Sequence, residues 1–274
     1  MTPFTSSHLD RLDHSPPQIP PPAEFRVGVD TVIFSVDSIQ NRLLVLLVRR
    51  QEDPFQGQWA LPGTLVRPAE SLENAAHRIL QTQIRAMQLY LEQLYTFGGP
   101  HRDPREESDS FGTRYLSVSY VAFVRFQDTQ LLASSAGDGK NGHSLLPDRD
   151  LPESSEPKGS LSWHPIQSLP LLAFDHTQIC DYAHRRLRNK LEYSPIAFDV
   201  LPPTFTLGEV YQLYSTVLGD QFSDYSNFRA RLLKLGILRA TGRKASQGAG
   251  RPAALYRFDA DAFERVKDKP MLFV

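Results

Sequence analysis

The sequence predicts a mixed α+β/α/β chain of two units, an α/β/α sandwich followed by a smaller helical unit closed by a β-hairpin. The chain has 274 residues, 41% of them hydrophobic, and 21 prolines, which suits a medium-sized domain plus a small one better than one compact unit. Between residues 25 and 193, strand-like apolar runs interleave with two stretches of helical periodicity. Past residue 194 the pattern shifts to two short helices and two strands around a basic, glycine-rich turn. Charge shifts with it: residues 204–258 hold eight Lys/Arg against three Asp/Glu, a net +5, leaving −6 on the remainder.

Composition narrows the function classes. Cys180 is the only cysteine, so an internal disulfide is excluded and a reducing compartment is expected. It sits in a helical stretch, where a structural role is expected of it rather than a reactive one. No apolar run approaches the ~20 residues that span a bilayer, and the N-terminus lacks the basic-then-apolar order of a signal peptide. A cytoplasmic protein with no membrane partner is therefore expected. A compact basic unit on an otherwise acidic chain suggests a polyanion partner, although a solvated basic face gives the same composition.

The elements follow in order. Residues 1–23, rich in Pro, Ser, Thr and His, are expected to form a disordered N-terminal arm. In the first domain, residues 24–193, Arg26–Val36 and Leu43–Val48 read as strands joined by a turn around Asp37–Asn41. Ser71 is placed as the N-cap of a helix carrying Leu72, Ala75, Ala76, Ile79, Leu80 and Met87 at near-helical spacing. Strands are expected at Gln93–Phe97 and Tyr115–Phe126. Residues 127–160 are polar and rich in Gly, Ser and Pro, the composition of a flexible insertion. A short strand at Leu161–His164 and a helix capped by Asp175 and running to about Tyr193 complete the domain, with the boundary near Ser194.

One motif carries the first domain. Gly57-Gln-Trp-Ala-Leu-Pro-Gly63 leads to Glu70 and then, after seven intervening residues, to Arg78 inside the expected helix. This resembles the Nudix box, a loop-helix-loop whose pattern is met here by Glu70, Arg78 and Leu80. Thr64 and Arg85 stand where that pattern has Gly, Ile79 where it has its first helical Glu, and Thr82 and Gln83 where it has the Glu pair. Nudix hydrolysis needs helical carboxylates to hold a divalent ion over phosphates. A neutral hydroxyl and amide supply no such charge, so a domain without hydrolase activity, and without a resident cofactor, is expected. Such a pocket can still bind a nucleotide. Arg102-Asp103-Pro-Arg105 on a Gly/Pro loop puts two guanidinium groups where bidentate phosphate contacts are feasible. Candidate ligand-binding residues are Arg49, Trp59, Arg67, Glu70, Arg102, Asp103 and Arg105. Two of these have a second reading: Trp59 as a half-buried core residue, and Glu70 as the partner of Arg78 in an ion pair that braces the turn.

The second domain, residues 194–274, opens with Thr206-Leu-Gly-Glu209, a capping box ahead of apolar Val210, Leu213, Tyr214, Val217 and Leu218. Gly219-Asp220 ends that helix, and Ser223 or Asp224 can cap a second one over Tyr225–Leu235. Phe228, Leu232, Leu233 and Leu235 are expected to face inward. Strands at Ile237–Thr241 and Ala254–Phe258 enclose a basic, glycine-rich hairpin with Gly248 and Gly250. Helix, tight turn, basic helix and hairpin make a winged helix-turn-helix. Ser226, Asn227, Arg229, Arg231 and Lys234 are the candidate groove-reading residues, and Arg243, Lys244 and Arg251 the candidate backbone contacts to double-stranded DNA.

Taken with Leu169–His176, Asn227-Phe-Arg229 and Gly250–Arg257, these stretches resemble the Nudix-related transcriptional regulators over roughly residues 25–260. The resemblance implies a Nudix α/β/α sandwich joined to a winged helix-turn-helix, a homodimer on a palindromic operator, and an ADP-ribose-like effector that weakens DNA binding. It also implies control of NAD metabolism genes. Two alternatives stay open: an active Nudix hydrolase using displaced carboxylates such as Glu70 or Glu73, with the basic unit as a tether, and a winged helix serving as a protein-interaction surface.

Overall fold

The structure, a computed structural model, describes residues 24–85, 90–108, 112–126, 130–131, 160–219, 222, 224–246 and 252–268. The 1–23 arm and most of the 127–160 insertion lie outside the described residues, as do Met87, Asp220, Ser223, Gly248, Gly250 and Arg251.

The elements run β1 (Phe25–Asp37), β2 (Arg42–Arg49), β3 (Trp59–Ala60), β4 (Gly63–Leu65), α1 (Leu72–Gln83), β5 (Ile84–Arg85), β6 (Tyr90–Phe97), α2 (Arg105–Ser108), β7 (Arg114–Val124), β8 (Gln130–Leu131), β9 (Leu161–Pro165), α3 (His176–Tyr193), α4 (Ile196–Asp199), α5 (Leu207–Leu218), α6 (Tyr225–Lys234), β10 (Leu238–Ala245), β11 (Ala253–Phe258) and α7 (Ala260–Glu264). Among the described residues the main sheet has seven strands in the order β3-β2-β1-β7-β6, with β4 on β1 and β9 on β2. β1 and β7 are parallel and the other pairs antiparallel.

Alternation along the central strands builds the sandwich, because successive side chains leave a strand on opposite faces. Val29 and Val118 pack on Ala75, Ala76 and Ile79 of α1, and Ile33, Leu46 and Ala122 join Leu80 on the same side. Val32, Phe34, Val45, Val121 and Phe123 face the other way, onto Ile179, Cys180, Ala183 and Leu187 of α3. A sheet covered on both faces explains why Leu43–Val48 shows no polar alternation.

Several boundaries move from their expected places. The first helix ends at Gln83, where Ile84 turns extended and pairs with Leu131 of β8, so part of the expected insertion is strand. The sixth strand starts at Tyr90 and pairs through a register shift between Gln93 and Tyr95. The Asp37 turn forms as expected, its carboxylate accepting the Ile39 and Gln40 N–H groups at 2.9 and 3.1 Å. Asp175, expected to cap α3, makes no capping hydrogen bond. Its carboxylate is taken by Arg102, as described below.

In the C-terminal unit the capping box forms in both directions: Glu209 N–H donates to Thr206 Oγ1 at 3.2 Å and Thr206 N–H to Glu209 Oε2 at 2.7 Å. Asp224 caps α6 through Asn227 N–H at 3.0 Å. Phe228 and Leu232 turn inward onto Tyr211 and Tyr214 of α5, but Leu233, expected inside, is 38% exposed. One helical step of about 100° from buried Leu232 carries it off the core face. β10 and β11 pair with a shift between Ala240 and Lys244, at which Gly242 takes φ 73°, and a bridge from Phe205 to Tyr256 adds a third edge. The two units share a continuous core, in which Leu187, Leu191 and Ile196 meet Leu207, Val210 and Tyr214. Gln212 of α5 also donates to the Ser38 carbonyl and to Asn41 Oδ1 in the β1–β2 turn.

Candidate functional site

A cavity of about 340 Å³ opens between the end of β2, strands β1, β4 and β7, the loop before α2, and the start of α3. Its floor is polar because Asp30 and Ser117 interrupt otherwise apolar strands paired side by side in parallel register, Asp30 opposite Ser119 and Gly28 opposite Ser117. Ser117 Oγ donates to Asp30 Oδ2 at 2.6 Å. His176, the first residue of α3 and 3% exposed, accepts the Leu61 N–H on Nδ1 at 2.9 Å. That bond leaves the ring proton on Nε2, which lies 3.7 Å from Asp30 Oδ2. Burial holds the His176 pKa below the ordinary histidine value against the pull of Asp30 and Asp175, so the ring is neutral near pH 7.

The arginine loop is wired inward. Arg102 donates through Nε and Nη2 to Asp175, at 2.9 and 2.5 Å, and its Nη2 is 3.9 Å from Asp30. Arg105 donates in the same way to Asp103, at 2.9 and 2.5 Å, with its guanidinium 4.2 Å over the Tyr115 ring. Asp103 is 1% exposed. Burial pushes its pKa up, but the Arg105 hydrogen bonds outweigh that and hold the carboxyl below the usual range. The bidentate geometry read from the sequence is therefore present, yet its acceptors are the protein's own carboxylates. The Asp103 and Arg102 side chains are only 2% and 8% exposed, so leaving either unpaired would be costly, and internal pairing offsets that cost.

Of the remaining candidates, Arg49 lines the cavity with its Nε donating to the Gly57 carbonyl at 3.1 Å. Trp59, Arg67 and Glu70 do not line it. The Trp59 ring lies edge-on to His164 at 4.7 Å, and its carbonyl accepts the Ala173 N–H, which ties the motif loop to the approach to α3. Glu70 accepts from Arg78 Nε at 2.8 Å and Nη2 at 3.0 Å and from the Arg67 N–H at 3.0 Å. Those donors, Arg78 first, pull the Glu70 pKa down to about 2. Arg78 also donates to Thr64 Oγ1 and the Leu65 carbonyl, so the pair braces β4 against α1.

Thr82 and Gln83 of α1 offer no charge to a divalent ion. The Thr82 hydroxyl is spent on the Arg78 and Ile79 carbonyls at 2.9 and 3.0 Å, and Gln83, which lines the cavity, is uncharged. Sequence reasoning missed Asp30, Arg50, Tyr115, Phe174 and His176. For Asp30 a signal existed: a carboxylate inside an apolar strand is costly to bury without a purpose.

On the second unit, Ser226, Asn227, Arg229, Arg231 and Lys234 are all exposed along α6, and Arg243 and Lys244 are exposed on β10. Helix and hairpin present these side chains to solvent without a carboxylate partner in the described residues, whereas Arg239 is engaged by Asp259. The fold and its two sites define a Nudix-type domain carrying a winged helix-turn-helix.

Comparison with known proteins agrees. Residues 24–176 match the NUDIX domain model and residues 193–274 the AraR C-terminal winged HTH domain model. The chain is 35% identical over 234 residues, 84% of its length and 80% of the relative's, to the ADPR responsive transcriptional repressor NtrR of Acinetobacter baylyi. An ADP-ribose pyrophosphatase of Methanocaldococcus jannaschii is 34% identical over 57% of this chain and 75% of its own. Among solved structures, Shewanella oneidensis NrtR complexed with a 27mer DNA aligns with TM-score 0.66 at 31% identity, covering 87% of this chain and 95% of that one. A MutT/nudix family protein from Enterococcus faecalis aligns with TM-score 0.59 at 25% identity, covering 88% and 89%. The chain belongs to the family of Nudix-related transcriptional regulators that includes NtrR and NrtR.

Proposed function

We propose that this chain is a sequence-specific DNA-binding transcriptional repressor of NAD metabolism genes, released from its operator by ADP-ribose or a related nucleotide bound in the Nudix cavity. The observation that carries the reading is the pairing, in one chain, of a polar, arginine-lined cavity with an exposed basic helix and hairpin, in a family whose relative NtrR is named for ADPR-responsive repression. α6 enters the major groove, with Ser226, Asn227, Arg229, Arg231 and Lys234 available to base edges, while Arg243, Lys244 and Arg251 hold the backbone. The protein acts in the cytoplasm as a homodimer on a palindromic operator. No helix among the described residues is long and apolar enough to cross a membrane.

The Nudix domain binds without hydrolysing. Arg49, Arg102, Asp103 and Arg105 surround the ligand, and Glu70 with Arg67 fixes the loop that frames it. α3 is suited to carry the signal, since its first residue, His176, lines the cavity, its N-cap Asp175 is held by Arg102, and its later residues, Leu187 and Leu191, pack on the C-terminal unit.

The experiment is a footprint of the purified chain on DNA from its own gene neighbourhood at fixed salt, together with a hydrolysis assay on ADP-ribose with divalent metal. Specific protection without AMP release supports the proposal. The similarity to an ADP-ribose pyrophosphatase keeps one second reading, a residual hydrolase. Metal-dependent AMP release, lost in Glu70→Gln, would establish that reading instead.

A further inference from the structure

Four arginines line the cavity, and the structure divides them into two kinds. Arg102 and Arg105 are each engaged edge-on by a carboxylate, the largely shielded Asp175 and the buried Asp103. Pulling either one toward a ligand would strand an uncompensated negative charge. Arg49 and Arg50 have no carboxylate within ion-pair distance among the described residues. Among the described residues Arg49 spends only Nε, on the Gly57 carbonyl, which leaves both of its terminal nitrogens unused there. Arg50 spends Nε on the Pro54 carbonyl at 2.7 Å and Nη2 on the Glu52 carbonyl at 3.2 Å.

The Arg50 guanidinium is also backed by an aromatic platform, 4.8 Å over the ring of Phe174. Phe174 stands edge-on to Phe55 with ring centroids 5.0 Å apart. Both phenylalanines sit at left-handed φ, 55° and 67°, a conformation a bulky side chain adopts only where its surroundings enforce it. The loop closing from Arg50 to Gln58 enforces the second, through Gly57 N–H to the Arg50 carbonyl and Arg50 N–H to the Gln58 carbonyl, each 2.9 Å. Two guanidinium groups fixed at the mouth of a polar cavity, one immobilised by two carbonyls and a ring, make a preorganised fork for an anion with several oxygens.

We propose that Arg49 and Arg50, the latter held on Phe174, form the diphosphate clamp of the cavity, while Arg102 and Arg105 act as structural cations. This rests on the nucleotide-effector reading above and names its anion subsite. Burial and the adjacent Arg105 cation lower the Arg50 pKa against the opposing pull of Asp103, Glu52 and Asp30.

The test is calorimetric titration of the full-length protein with inorganic pyrophosphate, ADP-ribose and adenosine, on wild type, Arg50→Ala, Arg50→Lys and Arg49→Ala. Each variant's thermal midpoint is measured alongside, and Arg49→Ala guards against misfolding because that side chain is exposed and makes one hydrogen bond. The expected result is that pyrophosphate competes with ADP-ribose, and that each alanine variant weakens both roughly 10- to 100-fold, the scale of lost charge-assisted hydrogen bonds. Arg50→Lys should fall between, because it keeps the charge and loses the fork. Equal affinity of wild type and both alanine variants for ADP-ribose overturns the clamp and leaves the effector reading standing. Arginine-dependent binding of pyrophosphate with no binding of ADP-ribose upholds the clamp and removes that effector.

Discussion

A Cβ placed on Gly63 would lie 2.1 Å from Asp30 Oδ1 and 3.2 Å from its Cγ, so the glycine ending the Trp59–Gly63 motif exists to let the floor carboxylate into the cavity. Ser117 holds that carboxylate from the other side. Gly63→Ala should therefore cost about 1–3 kcal/mol, by displacing Asp30 or β4. Adding Asp30→Ala should recover part of the loss, giving a coupling a double-mutant cycle can read. Strictly additive costs in thermal melts would show that the two residues do not compete for the space.

The Glu70–Arg78 pair gives a signed pH dependence. Glu70 is held at about 2 in the folded state by its bonds from Arg78 and the Arg67 N–H, below the ordinary glutamate value. Its contribution is complete above that ordinary value and is lost as pH falls toward 2. Arg78→Met should lower stability by about 1 kcal/mol at pH 7. The gap from wild type should close as pH drops through the acidic range. A gap that stays constant down to pH 3 would mean that Arg78 stabilises by packing alone.

Arg102 ties Asp175, at the start of α3, to the cavity loop, and the pair is largely shielded, with side chains 8% and 14% exposed. Arg102→Ala leaves Asp175 and nearby Asp30 without their cation and should cost about 3 kcal/mol. Loss of nucleotide binding by this variant at temperatures where it remains folded would assign Arg102 a direct ligand contact as well.

On the hairpin, Arg243→Ala and Lys244→Ala should each weaken operator and nonspecific DNA binding alike, and should each lower the salt-dependence slope by about one. Arg229→Ala on α6 should instead relax sequence preference. An unchanged slope in both hairpin variants would remove the wing from the DNA-contact surface.

Much of this was legible in the sequence for local reasons. Ser71, Asp224 and the Thr206/Glu209 box are short-range hydrogen-bond devices, and all three form. The apolar, β-branched run of Arg26–Val36 reported a strand because such side chains favour extended backbone. What escaped depends on distance along the chain. Asp175 reads as a cap in a local window, but Arg102, 73 residues away, takes its carboxylate. Arg50 reads as one more charge at a strand end until Phe174 closes over it. Thr82 and Gln83, by contrast, need no fold to be recognised as uncharged where the Nudix pattern has its Glu pair.

The central claim, that the Nudix cavity controls the DNA-reading helix, is tested most directly by titrating ADP-ribose into the preformed protein–operator complex at fixed salt and following anisotropy of the labelled DNA. The account predicts release, with operator affinity falling by about 5- to 150-fold at saturation, the usual range of coupling between two sites. Operator affinity unchanged at an ADP-ribose concentration that calorimetry shows to be saturating would contradict it.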